Sequence, residues 1–127
     1  MIVSIGIDIV EVYRIREAIS RTPRFAERVF TLAERQYCDG KGKTAYQSYA
    51  GRFAAKEAFL KALKTGWRGK ISWKEIEIAV GKAGEVSLVI TGEAKVRLDA
   101  IGADRAHLSI SHTADHAIAQ VILERSE

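Results

Sequence analysis

A chain of 127 residues that is 47% hydrophobic carries enough apolar material for one folded domain over 1–127, and too much for a disordered tract. Twenty basic against sixteen acidic residues give +4 and a pI of about 9.3, a balance that suits an anionic ligand or partner such as a nucleotide, an acidic protein or a nucleic acid. Cys38 is the only cysteine, which excludes an internal disulfide and a cysteine zinc site. No apolar run nears the ~20 residues of a membrane helix. Asp8, Glu11 and Arg14 interrupt the start where a signal peptide would be apolar. A soluble cytoplasmic protein is expected.

Ile2–Val10 alternates as a strand, with Val3, Ile5, Ile7 and Ile9 on one face and Ser4, Gly6, Asp8 and Val10 on the other. Aspartate is disfavoured inside strands. Asp8 is either a solvent-facing polar position or a carboxylate aimed into a site that Gly6 keeps open. Glu11–Arg21 has helical spacing through Val12, Ile15, Ala18 and Ile19, and Pro23 breaks it. Arginines crowd this region at 14, 16, 21, 24 and 28, as a solvated basic face or as a docking surface for an acidic partner.

Arg24–Phe30 reads as a short helix. Thr31 and Glu34 form a capping box that opens another through Cys38. Asp39–Lys43 is a loop. Thr44 and Gln47 have the spacing of a second capping box, opening a helix of about twenty residues that Gly66 would stop. Ile71–Trp73 is expected to be extended. Residues 75–91 read as a hairpin turning at Gly81–Gly84, and Gly92–Ile101 as a helix stopped by Gly102. Ala106–Thr113 and His116–Leu123 complete the strands. The class is α+β, an antiparallel sheet packed around one long central helix.

That central helix carries a candidate site. In Gly51–Leu63, Glu57 and Lys61 stand one turn apart on one face, with Phe53 and Leu60 beside them and Arg52, Lys56 and Lys64 near. Ala54, Ala55, Ala58 and Ala62 cover the opposite side. The pair is either an ordinary i,i+4 ion pair, or a metal ligand (Glu57) next to a phosphate-binding cation (Lys61).

Three stretches stand in series: Gly6-Ile-Asp8, Phe53-Ala-Ala-Lys-Glu-Ala58 with Lys61, and Leu108-Ser-Ile-Ser-His-Thr113. In that order and spacing they resemble the short class of 4′-phosphopantetheinyl transferases, from Gly6 to Thr113. The resemblance implies transfer of the 4′-phosphopantetheine arm of coenzyme A to a serine of an apo acyl carrier protein, leaving 3′,5′-ADP. It implies Mg2+ held by Asp8 and Glu57, and Lys61 on the phosphates. Arg52, His112 and Thr113 are implied at coenzyme A, and Arg14, Arg21 and Arg24 at the acidic carrier. It also implies a homotrimer with each site between neighbouring subunits. Two magnesium carboxylates suffice, because the ion commonly takes the rest of its oxygens from phosphate and water. Val10 stands where the long class has a third acid. Gly84-Glu-Val86 stands where the hairpin usually has a proline.

Two other classes compete. A non-catalytic basic module for an acidic protein or RNA would explain the charge but leaves Asp8 and Glu57 without purpose. The strands also lack the exposed aromatic pair common in RNA recognition, so neither nucleic acid nor membrane is an expected partner. A structural trimer with a decayed site conflicts with three intact motifs.

Overall fold

The computed structural model describes residues 1–64 and 70–127. The elements run β1 (Ile2–Glu11), α1 (Val12–Arg21), α2 (Phe25–Val29), α3 (Leu32–Asp39), α4 (Ala45–Leu63), β2 (Ile76–Val80), β3 (Val86–Ile90), α5 (Gly92–Ala100), β4 (Arg105–His112) and β5 (His116–Glu124). Single 3-10 turns occupy Gly42–Thr44 and Trp73–Glu75. One antiparallel sheet has the order β1-β5-β4, and β2-β3 is a separate hairpin. Asp8 is opposite Ala119 across the β1–β5 pair.

Helix α4 packs on β1, β5 and β4. Its alanines make this possible. Ala54, Ala58 and Ala62 are wholly buried, as are Ala117, Val121 and Leu123 of the sheet. Small side chains let the helix axis approach the strands closely. The approach is tightest at Gly6. A Cβ there would collide with the Ala58 carbonyl and stand 2.7 Å from the Ala62 amide nitrogen. The space beside Gly6 is therefore filled by helix backbone. The expectation that Gly6 keeps a site open is corrected: it brings α4 against β1.

Of the two faces of β1, α4 takes the one with Ser4, Gly6 and Asp8. Ile5, Ile7 and Ile9 are left 57%, 53% and 63% exposed on the other. Ile118 of β5 lies opposite Ile9, and it too is exposed.

The Thr31 capping box forms as its spacing predicts. The Glu34 amide donates to Thr31 Oγ1 at 3.2 Å, and the Thr31 amide donates to Glu34 Oε1 at 2.8 Å. Glu34 does more than cap. Lys56 Nζ lies 2.9 Å from Glu34 Oε1, and the Ile78 amide donates to Glu34 Oε2 at 2.7 Å. Lys56 also donates to the carbonyls of Ile76 (2.6 Å) and Trp73 (3.1 Å). Both side chains are 0% exposed. Burial pushes the Lys56 ammonium down from its usual pKa, while the Glu34 charge pulls it back up. With three acceptors around it, the ammonium is satisfied as a cation. The pair ties α3, α4 and β2 into one unit.

Other expectations change locally. Thr44 makes no side-chain cap to α4; its hydroxyl donates to the Lys41 carbonyl instead, so the second capping box does not form. Trp73–Glu75 is helical rather than extended, and β2 begins at Ile76. The stop expected at Gly66 lies outside the described residues. Helix α4 ends at Leu63, with Lys64 in the left-handed region at φ 61°. Among the described residues no helix is long and apolar enough to cross a membrane.

Candidate active site

The inner face of β1 and one face of α4 meet at Asp8, Glu57 and Lys61. Lys61 does not pair with the glutamate one turn before it. Its ammonium lies 2.8 Å from Asp8 Oδ1 and donates to the Ile7 carbonyl at 3.2 Å, bridging helix to strand. Asp8 is nearly buried, its side chain 13% exposed, while Lys61 keeps 53% exposure and can turn toward a ligand. Glu57 has no hydrogen bond and no ion pair among the described residues. Its burial, and then the Asp8 charge, push its carboxyl above the usual carboxylate value; Lys61 pulls the other way by less.

Asp8, which holds Lys61, and Glu57 both line a cavity of about 700 Å3. Ile15, Ala18, Phe25 and Phe53 give it an apolar wall, and Glu11, Arg14 and His116 line its rim with Asp8 and Glu57. Among the described residues no three acidic, histidine or cysteine side chains gather as a closed metal cage. An open pair of carboxylates, one without a partner among the described residues, fits a hard oxygen-seeking cation that keeps water and phosphate oxygens as its other ligands. A softer metal would want nitrogen or sulfur donors.

The other site residues expected from the sequence distribute as follows. Arg14 lies on the rim of this cavity, paired with Glu11 at 2.9 Å. Arg21 is an exposed residue paired with Glu17 at 3.3 Å. Arg24 is exposed, at the start of α2, in the left-handed region at φ 73°. Arg52 and Lys56 do not belong to the cavity, contrary to the expectation that they add charge beside Glu57. Lys56 is consumed by Glu34. Arg52 lines a second cavity with Tyr37 and β2. Arg52 and Glu57 are five positions apart, about 140° around a helix, so they face different sides.

His112 is exposed at the end of β4, outside the cavity lining. Thr113 builds the turn into β5, its hydroxyl accepting from the amides of Asp115 (3.2 Å) and His116 (3.1 Å). That turn brings His116 to the cavity rim. The sequence reading had His116 only as the first residue of a strand. No stretch of sequence marks it; the β1–β5 register of the structure sets it opposite Glu11.

The family pattern described as "4'-phosphopantetheinyl transferase superfamily" matches residues 4–121. A holo-[acyl-carrier-protein] synthase of Koribacter versatilis is 46% identical over 125 residues, covering 98% of this chain and 99% of its own. A crystal structure of a holo-(acyl-carrier-protein) synthase from Bacillus anthracis, in complex with CoA (3',5'-ADP), superposes with a TM-score of 0.82 at 40% identity over 99% of each chain. The Helicobacter pylori holo-[acyl-carrier-protein] synthase in complex with coenzyme A gives 0.81 at 35% identity over 94% of this chain and 99% of that one. With the motif residues Asp8 and Glu57 on one cavity, Lys61 held on Asp8, and the likeness running the whole length, the chain belongs to the 4′-phosphopantetheinyl transferase superfamily, among its holo-[acyl-carrier-protein] synthases.

Proposed function

We propose that this protein transfers the 4′-phosphopantetheine group of coenzyme A to a serine hydroxyl of an apo acyl carrier protein, releasing 3′,5′-ADP, with Mg2+ as the cofactor. The observation that carries the reading is that Asp8 and Glu57 line one 700 Å3 cavity, with the half-exposed Lys61 held on Asp8. Asp8 and Glu57 would hold the magnesium. When bound, that ion neutralises pyrophosphate charge and stabilises the leaving phosphate. Lys61 swings from Asp8 to the same phosphates, its exposed stem allowing the motion. The Phe25–Phe53 side of the cavity suits the uncharged pantetheine arm and keeps water from the reacting phosphorus. Arg14 on the rim, with Arg21 and Arg24 beyond it, meets the acidic carrier, and Arg52, His112 and Thr113 bind coenzyme A. The default carrier for the short class is the fatty-acid one, and a cytoplasmic location goes with the same reading.

The working form is a homotrimer with each site between subunits. Support comes from the bare isoleucine face of β1 and from Arg52, His112 and Thr113, which one chain alone does not bring to the Asp8–Glu57 cavity. Light scattering is expected to give three times the 14.0 kDa chain mass; a monomer at micromolar concentration would contradict it.

The activity is tested by incubating the chain with coenzyme A, Mg2+ and apo acyl carrier protein. Mass spectrometry is expected to show a phosphopantetheine adduct on the carrier, absent when EDTA is present. No adduct on any carrier, with carrier binding retained, would leave a basic binding module instead.

A further inference from the structure

Arg52 is only 7% exposed, yet its Nε has no acceptor and no carboxylate pairs with it among the described residues. Its guanidinium carbon lies over the Tyr37 ring, 4.5 Å from the centroid, and the Lys41 ammonium stands 4.7 Å from the same centroid. Arg52 and Tyr37 line a cavity of about 300 Å3 between α3, α4 and β2. Two acids border it, and both are engaged elsewhere. Glu34 accepts from Lys56, Thr31 and Ile78, and Glu77 accepts the Thr31 hydroxyl at 2.7 Å. A guanidinium stays protonated at any working pH, and burying it without a counter-ion is unfavourable. An aromatic face offsets part of that and holds the planar fork in one orientation.

Resting on the reading of Arg52 as a coenzyme A contact, we propose that Tyr37 is a positioning residue for donor binding: its ring holds Arg52 ready for the 3′-phosphate of coenzyme A. The choice of phosphate follows from the layout. The pyrophosphate is assigned to Asp8, Glu57 and Lys61, on another side of α4. The 3′-phosphate is the anionic group of the donor still without a cation. Tyr37 itself touches no reacting atom, so its loss weakens donor binding and leaves the transfer step alone.

The test compares the full chain with Tyr37→Leu and Tyr37→Phe, using coenzyme A or 3′-dephospho-coenzyme A as donor. Tyr37→Leu is expected to raise KM for coenzyme A by roughly fivefold to twentyfold, with kcat within about twofold of wild type. Its KM for the dephospho donor is expected to match wild type, and Tyr37→Phe, which keeps the ring, to restore the coenzyme A value. Should Tyr37→Leu fold poorly, Tyr37→Gln at this half-buried position serves for the same comparison. An unchanged KM, an equal rise for both donors, or a Phe variant as poor as the Leu variant would each overturn the role of the ring. A wild-type chain that transfers from neither donor would overturn the activity itself, which is a different result.

Discussion

Glu57→Gln is expected to reduce transfer by at least about a hundredfold while leaving the metal-free protein as stable as wild type, or more so. The two halves have one cause. Glu57 has no partner among the described residues, and burial and Asp8 both hold its carboxyl above the usual carboxylate value. A raised acid favours folding fully below its unfolded pKa, and that contribution is lost as pH rises through the folded value. Above that folded value the ionised Glu57 therefore strains the metal-free fold. The neutral amide relieves the strain, but it is a poorer ligand for a hard cation. Thermal melts check this directly. Wild type with coenzyme A is expected to gain stability on adding Mg2+ at pH 8 and less at pH 5, whereas Glu57→Gln gains little at either. A variant that still transfers at the wild-type rate would remove Glu57 from the site.

Lys56→Met is expected to do the reverse, although the residue is the next one in the chain. It leaves Glu34 charged and buried at 0% exposure, with only backbone donors for company. Breaking one side of a buried pair costs about 3–5 kcal/mol. At this chain length that is roughly 12–20 °C in Tm. Adding Glu34→Gln should return part of it, because the amide is neutral and its oxygen can still accept from Thr31 or Ile78. Calorimetry on the two variants decides the matter. A single variant melting within a couple of degrees of wild type would mean that the pair is not what joins α3, α4 and β2.

These neighbours show what the sequence could and could not carry. The Thr31–Glu34 capping box was legible because both partners lie in one turn. The hairpin was legible for the same reason: alternation and a glycine turn are local. Asp8 and Glu57 were recognisable as unusual for their elements, aspartate in a strand and a lone acid in an alanine-rich helix. What local pattern could not give was partner choice. Lys61 looked like the i,i+4 partner of Glu57 but reaches across to Asp8, because α4 lies so close on β1 at Gly6. Lys56 and Arg52 looked like cations beside Glu57. Their angles around the helix turn them to α3 and β2, where tertiary packing hides them. Thr44 had the right spacing for a cap, and a single 3-10 turn before α4 claimed its hydroxyl. His116 reached the cavity through the β4–β5 turn, which no single stretch announces.

The central claim is that Asp8 and Glu57 together hold one hard cation on the donor pyrophosphate. It is tested most directly by titrating Mg2+ calorimetrically into the protein saturated with coenzyme A, for wild type, Asp8→Asn, Glu57→Gln and the double variant. One saturable site per chain is expected in wild type, lost in either single variant and no weaker still in the double. Wild-type Mg2+ stoichiometry and affinity in both single variants would contradict it.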